Sequence, residues 1–143
     1  MLVGLSVSLL SGFFLAGSCV GSRTSSPFLA TPPQIIGDIS PQDASKLIGE
    51  NEGDPDFIIL DVRTAEEFTD EHIENATNTD FYADTFRNEL DNLDKNKTYL
   101  IYCRSGSRSG KALNIMAELK FKKVYNVSDG IIAWNAKGLP IVR

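Results

Sequence analysis

A chain of 143 residues has room for one domain, and an apolar content of 42 % is enough to build its core, which excludes wholesale disorder and a large barrel enzyme. Nineteen acidic residues against 14 basic ones give a net charge of −5, which argues against a general nucleic-acid binder, since that role needs a basic footprint. Two cysteines are too few for a disulfide scaffold, and one histidine is too few for a His-rich metal cluster.

Residues 1–18 carry no charge and are apolar or small throughout. Three structures compete for such a stretch. A secretory signal peptide has an apolar region of about 7–15 residues; a membrane-spanning anchor needs about 17–25; a core helix is the third. Ser6, Ser8, Ser11 and three glycines weaken the last two. The segment ends in Ala16-Gly17-Ser18-Cys19, which resembles a bacterial lipoprotein signal. That resemblance implies cleavage before Cys19, lipidation of Cys19, and a membrane-anchored, periplasmic or extracytoplasmic domain; an ordinary signal or a retained anchor is the alternative. Residues 19–34 have the Ser, Thr, Pro and Gly content of a flexible linker, and three prolines bar a regular helix there.

The folded domain is expected over residues 35–143, as strands alternating with helices. Ile35–Ile39 is a short apolar stretch. Ser40 and Pro41 open a helix as N-cap and first residue, with Ala44, Leu47 and Ile48 as its apolar stripe and Gly49 to close it. Phe57–Leu60 is a continuous apolar run, as in a parallel strand buried on both faces. Thr64 and Glu67 have the spacing of a capping box. Phe86, Leu90 and Leu93 share a helix face. Tyr99–Tyr102 is another buried strand, and Ala112, Ile115, Met116 and Leu119 stripe the helix after it. Val124–Val127 is the last strand, and Ile131–Lys137 the last helix, stopped by Gly138 and Pro140. This alternation implies an α/β fold with a mostly parallel sheet, in which ligands sit beyond the carboxyl ends of the strands.

The segment after Tyr102 is the most informative. Cys103-Arg104-Ser105-Gly106-Ser107-Arg108-Ser109-Gly110 joins a buried strand to a helix through small residues, so successive backbone N–H groups can turn inward as an anion nest. The helix N-terminus adds its own free N–H groups. Arg104, Arg108 and Lys111 add positive charge, and no acid stands between Cys103 and Met116. Each feature favours a thiolate, so Cys103, at a partly exposed loop start, is the candidate nucleophile and the same cradle is fitted to an anionic substrate. The plain alternative is a small buried hydrophobe at a strand end.

Asp61-Val62-Arg63, Glu67-Phe68, His72-Ile73, the Cys103–Ser109 loop, and Gly130 through Ala133-Trp134 to Gly138-Leu139-Pro140 together resemble a single-domain rhodanese, a sulfurtransferase module. The resemblance implies a central five-stranded, mostly parallel sheet flanked by helices on both faces. It implies that Cys103 takes a sulfane sulfur from a small anionic donor such as thiosulfate and passes it from a persulfide to cyanide or a thiol, with no metal and no cofactor. Arg104, Ser105, Gly106, Ser107 and Arg108 would bind the donor, the two arginines by charge. The spacing here is Cys-x4-Arg, whereas related phosphatases use Cys-x5-Arg, and the position one further on is Ser109. Two other functions stay open: a rhodanese-like binding or regulatory module with little turnover, and a phosphatase or arsenate reductase.

Asp61 and Arg63 either touch the active-site loop or form a structural ion network, with Asp61, Glu66 and Glu67 all within reach of Arg63. His72 reads as a turn residue and Trp134 as core. The chain departs from the family pattern at Glu71, Glu74, Asn75, Lys120 and Asp129, and Thr77 and Thr79 stand where the family has apolar strand residues, which implies a short or edge strand there. Charge is also uneven: residues 50–94 hold 15 acidic and two basic residues, residues 95–143 ten basic and two acidic. Such a division describes opposite solvated faces, or a field drawing small anions toward Cys103.

Overall fold

The computed structural model describes residues 33–143. The signal or anchor segment, Cys19 and residues 19–32 of the linker lie outside the described residues. Gln34, the last linker residue, is tied to the domain: its Nε2 donates to the carbonyls of Ala117 and Phe121, at 3.1 and 2.7 Å.

The element order is β1 (Ile35–Ile39), α1 (Pro41–Glu50), β2 (Phe57–Asp61), α2 (Ala65–Asp70), β3 (Thr77–Asn78), α3 (Phe86–Asp91), β4 (Thr98–Tyr102), α4 (Ser107–Glu118), β5 (Lys123–Val127) and α5 (Gly130–Ala136). The strands form one five-stranded sheet in the order β1-β5-β4-β2-β3, and every pairing is parallel. All five therefore point their carboxyl ends the same way.

Side-chain alternation along the strands builds two cores, one per face. Tyr99, Ile101 and Cys103 face Phe86 and Leu90 of α3 and Ala112, Leu113 and Met116 of α4. Leu100 and Tyr102 face Ala44 of α1 and Ile131 and Trp134 of α5. Helices thus cover both faces, which is why β2 and β4 are apolar without interruption. The same parity assigns Cys103 to the α4 side and Tyr102 to the other.

Two helix starts form as their sequences dictate. Ser40 Oγ accepts from the Asp43 N–H at 3.1 Å. Thr64 Oγ1 accepts from the Glu67 N–H at 3.3 Å while Glu67 Oε2 accepts from the Thr64 N–H at 3.1 Å, a complete capping box. Gly49 does not close α1. The helix runs on to Glu50, and Asn51 ends it, because the Asn51 side-chain amide donates to the Leu47 carbonyl at 2.7 Å and its backbone N–H to Ile48 at 3.1 Å. β3 is an edge strand of two residues, as the polar threonines lead one to expect.

Candidate active site

β4 delivers Cys103 to the carboxyl end of the sheet, and the chain turns through residues 104–106 into α4. Gly106 makes the turn: its φ of +84° is left-handed, and a Cβ there would stand 3.2 Å from the Asp129 nitrogen. The turn aims donors at the sulfur. The Gly106 N–H lies 3.1 Å from Cys103 Sγ and the Ser109 hydroxyl 3.4 Å from it. The backbone N–H groups of Ser105, Arg108 and Ser109 add to the field that favours charge on the same atom. Burial pushes the thiol pKa up, but the hydrogen bonds from the Ser109 hydroxyl and from the backbone of Ser109, Ser105 and Arg108 outweigh it and bring the pKa below its ordinary value.

The loop is held from behind by α5. The Ile131 N–H donates to the Cys103 carbonyl at 2.9 Å and the Ile132 N–H to the Arg104 carbonyl at 3.2 Å. In a trans peptide the carbonyl and the following N–H point oppositely. Turning these two carbonyls toward α5 therefore turns the N–H groups of Arg104 and Ser105 away from it. Gly130 permits the approach. Its φ is +59°, and a Cβ would fall 2.3 Å from the Cys103 oxygen and 2.7 Å from the Arg104 carbonyl carbon. Gly130→Ala should displace the loop, costing about 2 kcal/mol or more of stability and at least tenfold in any Cys103-dependent rate; alkylation of Cys103 and thermal unfolding measure the two.

Several sequence expectations are corrected here. Cys103 is not partly exposed: only 1 % of its surface is accessible, because the first turn of α4 folds over it and Ser109, itself fully buried, covers the sulfur. Arg108 is not a free cation at the cradle: its charge still acts on Cys103, but it is paired. Its Nη1 and Nη2 donate to Glu67 Oε2 and Oε1 at 2.7 and 2.8 Å, and the Tyr82 ring lies 5.5 Å from the guanidinium carbon. The chain thus brings to the loop an acid that residues 103–116 do not contain. Arg104, Ser105 and Ser107 are exposed at the mouth. What Ser105 supplies to the sulfur is its backbone N–H.

Asp61 and Arg63 form a buried ion pair, 0 % and 4 % exposed. Asp61 accepts from the Arg63 backbone N–H at 2.8 Å, from Nε at 2.9 Å and from Nη2 at 2.8 Å. Arg63 Nη2 also donates to the Glu71 carbonyl. Among the described residues, no hydrogen bond joins either side chain to residues 103–108. They brace the end of β2, where Asn78 Nδ2 donates to the Asp61 and Arg63 carbonyls at 3.0 and 2.9 Å. His72 stacks on Phe68 with ring centres 4.0 Å apart, and its backbone bridges to Val142. Trp134 is buried and donates from Nε1 to the Pro140 carbonyl at 2.9 Å.

Two residues of the site are not apparent from the sequence. Ser109 marks only a spacing there, yet its place in the first turn of α4 points the hydroxyl back at the sulfur. Glu67 is legible as a helix cap, as part of the family pattern and as a candidate partner of Arg63, but not as the partner of Arg108, which lies 41 residues away. The Arg108 pair holds the Glu67 carboxyl down at a pKa of about 2.

The arrangement surrounds a thiol of lowered pKa with hydrogen-bond donors. Alkylation of Cys103 should follow a titration whose midpoint lies below the free-thiol value of about 8.5. The rate should fall as pH drops through that midpoint, because the thiol form is unreactive. Ser109→Ala should move the midpoint upward by removing a donor to the charged form. An unchanged midpoint would show that this hydroxyl does not act on the sulfur.

Comparison with known proteins gives a consistent picture. The rhodanese-like domain family matches residues 40–137. A sulfurtransferase of Allochromatium vinosum is 31 % identical over 108 residues, covering 76 % of this chain and 96 % of that protein. The tRNA uridine(34) hydroxylase of Yersinia pestis is 40 % identical over 98 residues, and there the matched part is 62 % of this chain but only 27 % of the hydroxylase. The crystal structure of a rhodanese-related protein from Thermoplasma volcanium superimposes with a TM-score of 0.61 at 28 % identity, covering 73 % of this chain and 96 % of that one.

Proposed function

Because the chain belongs to the rhodanese-like domain family, we propose that it is a sulfurtransferase that carries a sulfane sulfur from an anionic donor of the thiosulfate kind to cyanide or a thiol, through a persulfide on Cys103. The observation that carries this reading is the set of hydrogen-bond donors, the Gly106 N–H and the Ser109 hydroxyl, around Cys103 Sγ. Those donors stabilise a thiolate before reaction and the terminal sulfur anion of a persulfide after it.

The reaction has two half-steps. The Cys103 thiolate attacks the outer sulfur of thiosulfate, a new S–S bond forms, and the donor's S–S bond breaks. Sulfite leaves with the bonding pair, so charge is conserved and no external oxidant is needed. Cyanide or an acceptor thiolate then bonds to the terminal sulfur, and the Cys103 thiolate departs. This is ping-pong covalent catalysis. The exposed Arg104 and the N-terminal end of α4 are placed to draw the anionic donor to the mouth.

Intact mass of the protein before and after thiosulfate, then after cyanide, tests the proposal. A gain of one sulfur atom that cyanide removes is the expected result. No gain, with the thiol still reduced and open to alkylation, overturns thiosulfate as the donor. Release of phosphate from an aryl phosphate would replace sulfur transfer with phosphatase chemistry.

A further inference from the structure

Glu67 is fixed from behind and engaged in front. Its Oε2 accepts from the Thr64 N–H at 3.1 Å and lies 3.2 Å from Thr64 Oγ1, so the carboxylate cannot swing away without opening the cap of α2. Forward, both of its oxygens take Arg108 in a fork-to-fork pair at 2.7 and 2.8 Å, the strongest geometry open to these groups. The side chains of Arg108 and Glu67 are only 15 % and 29 % exposed, so water screens the pair incompletely. Tyr82 flanks the guanidinium as well, 5.5 Å from its carbon. The Arg108 charge acts on Cys103, and the paired Glu67 carboxylate opposes it.

We propose that Glu67 is a specificity-determining positioning residue: by pairing with Arg108 it offsets the field of that cation at the cradle around Cys103 and sets the cradle's preference between monoanions and dianions. The inference rests on the reading of Cys103 as the centre of an anion-binding cradle. With the pair intact, the uncompensated positive charge at the mouth is that of the exposed Arg104 and the helix end. A dianion gains about twice as much from an added cation as a monoanion does. Cancelling Arg108 therefore weakens dianions more than monoanions.

The test uses inorganic sulfate and thiocyanate as dianionic and monoanionic probes, read by protection of Cys103 against iodoacetamide in the full chain. This readout requires no sulfur transfer, so failure of the sulfurtransferase function and failure of this proposal are separable. Glu67→Gln keeps the acceptor that caps α2 and removes the charge. Sulfate should then protect at about three- to tenfold lower concentration, and thiocyanate should change less than about twofold. The KM for thiosulfate should fall in step with the sulfate effect while kcat changes less. The neutral double variant Glu67→Gln with Arg108→Gln should stay within about twofold of the parent for both probes. A purely structural role would lower the unfolding temperature without any gain in sulfate affinity, and would overturn the proposal. A tenfold loss of sulfate protection in the double variant would also overturn it, by showing that Arg108 touches the anion directly. If Glu67→Gln does not fold, Arg108→Gln reads the coupling from the other side: the unpaired Glu67 charge should weaken sulfate protection about three- to tenfold, the double variant should restore it, and an unchanged sulfate response would overturn the proposal.

Discussion

Cys103→Ser is expected to abolish sulfur transfer, with a loss on the order of 10^4-fold or more, the scale reached when a covalent nucleophile is removed. An oxygen at this position accepts the same donors, since the Gly106 N–H and the Ser109 hydroxyl already face it. The buried hydroxyl is therefore satisfied, and the fold should survive with a change of about 1 kcal/mol or less. What it cannot do is ionise. The surroundings lower the pKa of a thiol whose ordinary value is about 8.5, and a serine hydroxyl starts far above that range. Steady-state turnover with thiosulfate and cyanide measures the loss, and intact mass after thiosulfate should show no added sulfur. Full activity in this variant would remove Cys103 from the mechanism.

The second large effect falls on stability and lies away from the sulfur. Asp61 and Arg63 are 0 % and 4 % exposed, and each is the other's main partner. Asp61→Asn leaves the Arg63 charge buried without its counter-ion. Such a break costs about 3–5 kcal/mol, which in a domain of this size lowers the unfolding midpoint by on the order of 10–20 °C. Replacing both residues together, as Asp61→Leu with Arg63→Met, should cost much less, because an apolar pair of similar volume avoids the desolvation of two ions. Urea unfolding of the three proteins gives the comparison. A loss below about 1 kcal/mol in Asp61→Asn would mean that the pair behaves as a solvated surface pair.

Much of the architecture is written in short stretches. The apolar runs Phe57–Leu60 and Tyr99–Tyr102 carry no charged residue to face solvent, so strands buried on both faces are the reading that places them. Ser40 and Thr64 cap helices through bonds three residues long, which depend on little beyond local spacing. The end of α1 is harder to read: Gly49 and Asn51 both suit a helix end, and the Asn51 side-chain amide settles the outcome by reaching the Leu47 carbonyl.

The site divides in the same way. The Cys103–Gly110 loop is contiguous, so its nucleophile, its small residues and its run into a helix are visible as a string of letters. Burial of Cys103 is not, because it arises from Ser109 and the first turn of α4 folding back over the strand end. Nor is the partner of Arg63. Asp61, Glu66 and Glu67 lie at similar separations along the chain, and only the extended end of β2 puts Asp61 beneath the guanidinium while the cap of α2 turns Glu67 toward α4.

From the sequence alone come the α/β class, the parallel sheet, the thiol at the end of β4 and the small-residue loop that leads from it into α4. These depend on periodicity, on capping spacings and on backbone groups that any such loop presents. Tertiary structure decided which charges count. Coulomb energy depends on distance through space, and neighbours in space are set by how strands and helices pack, not by order along the chain. That packing carried Glu67 from an unrelated helix onto Arg108, locked Asp61 onto Arg63, and pressed the glycine-opened start of α5 against the carbonyls behind Cys103.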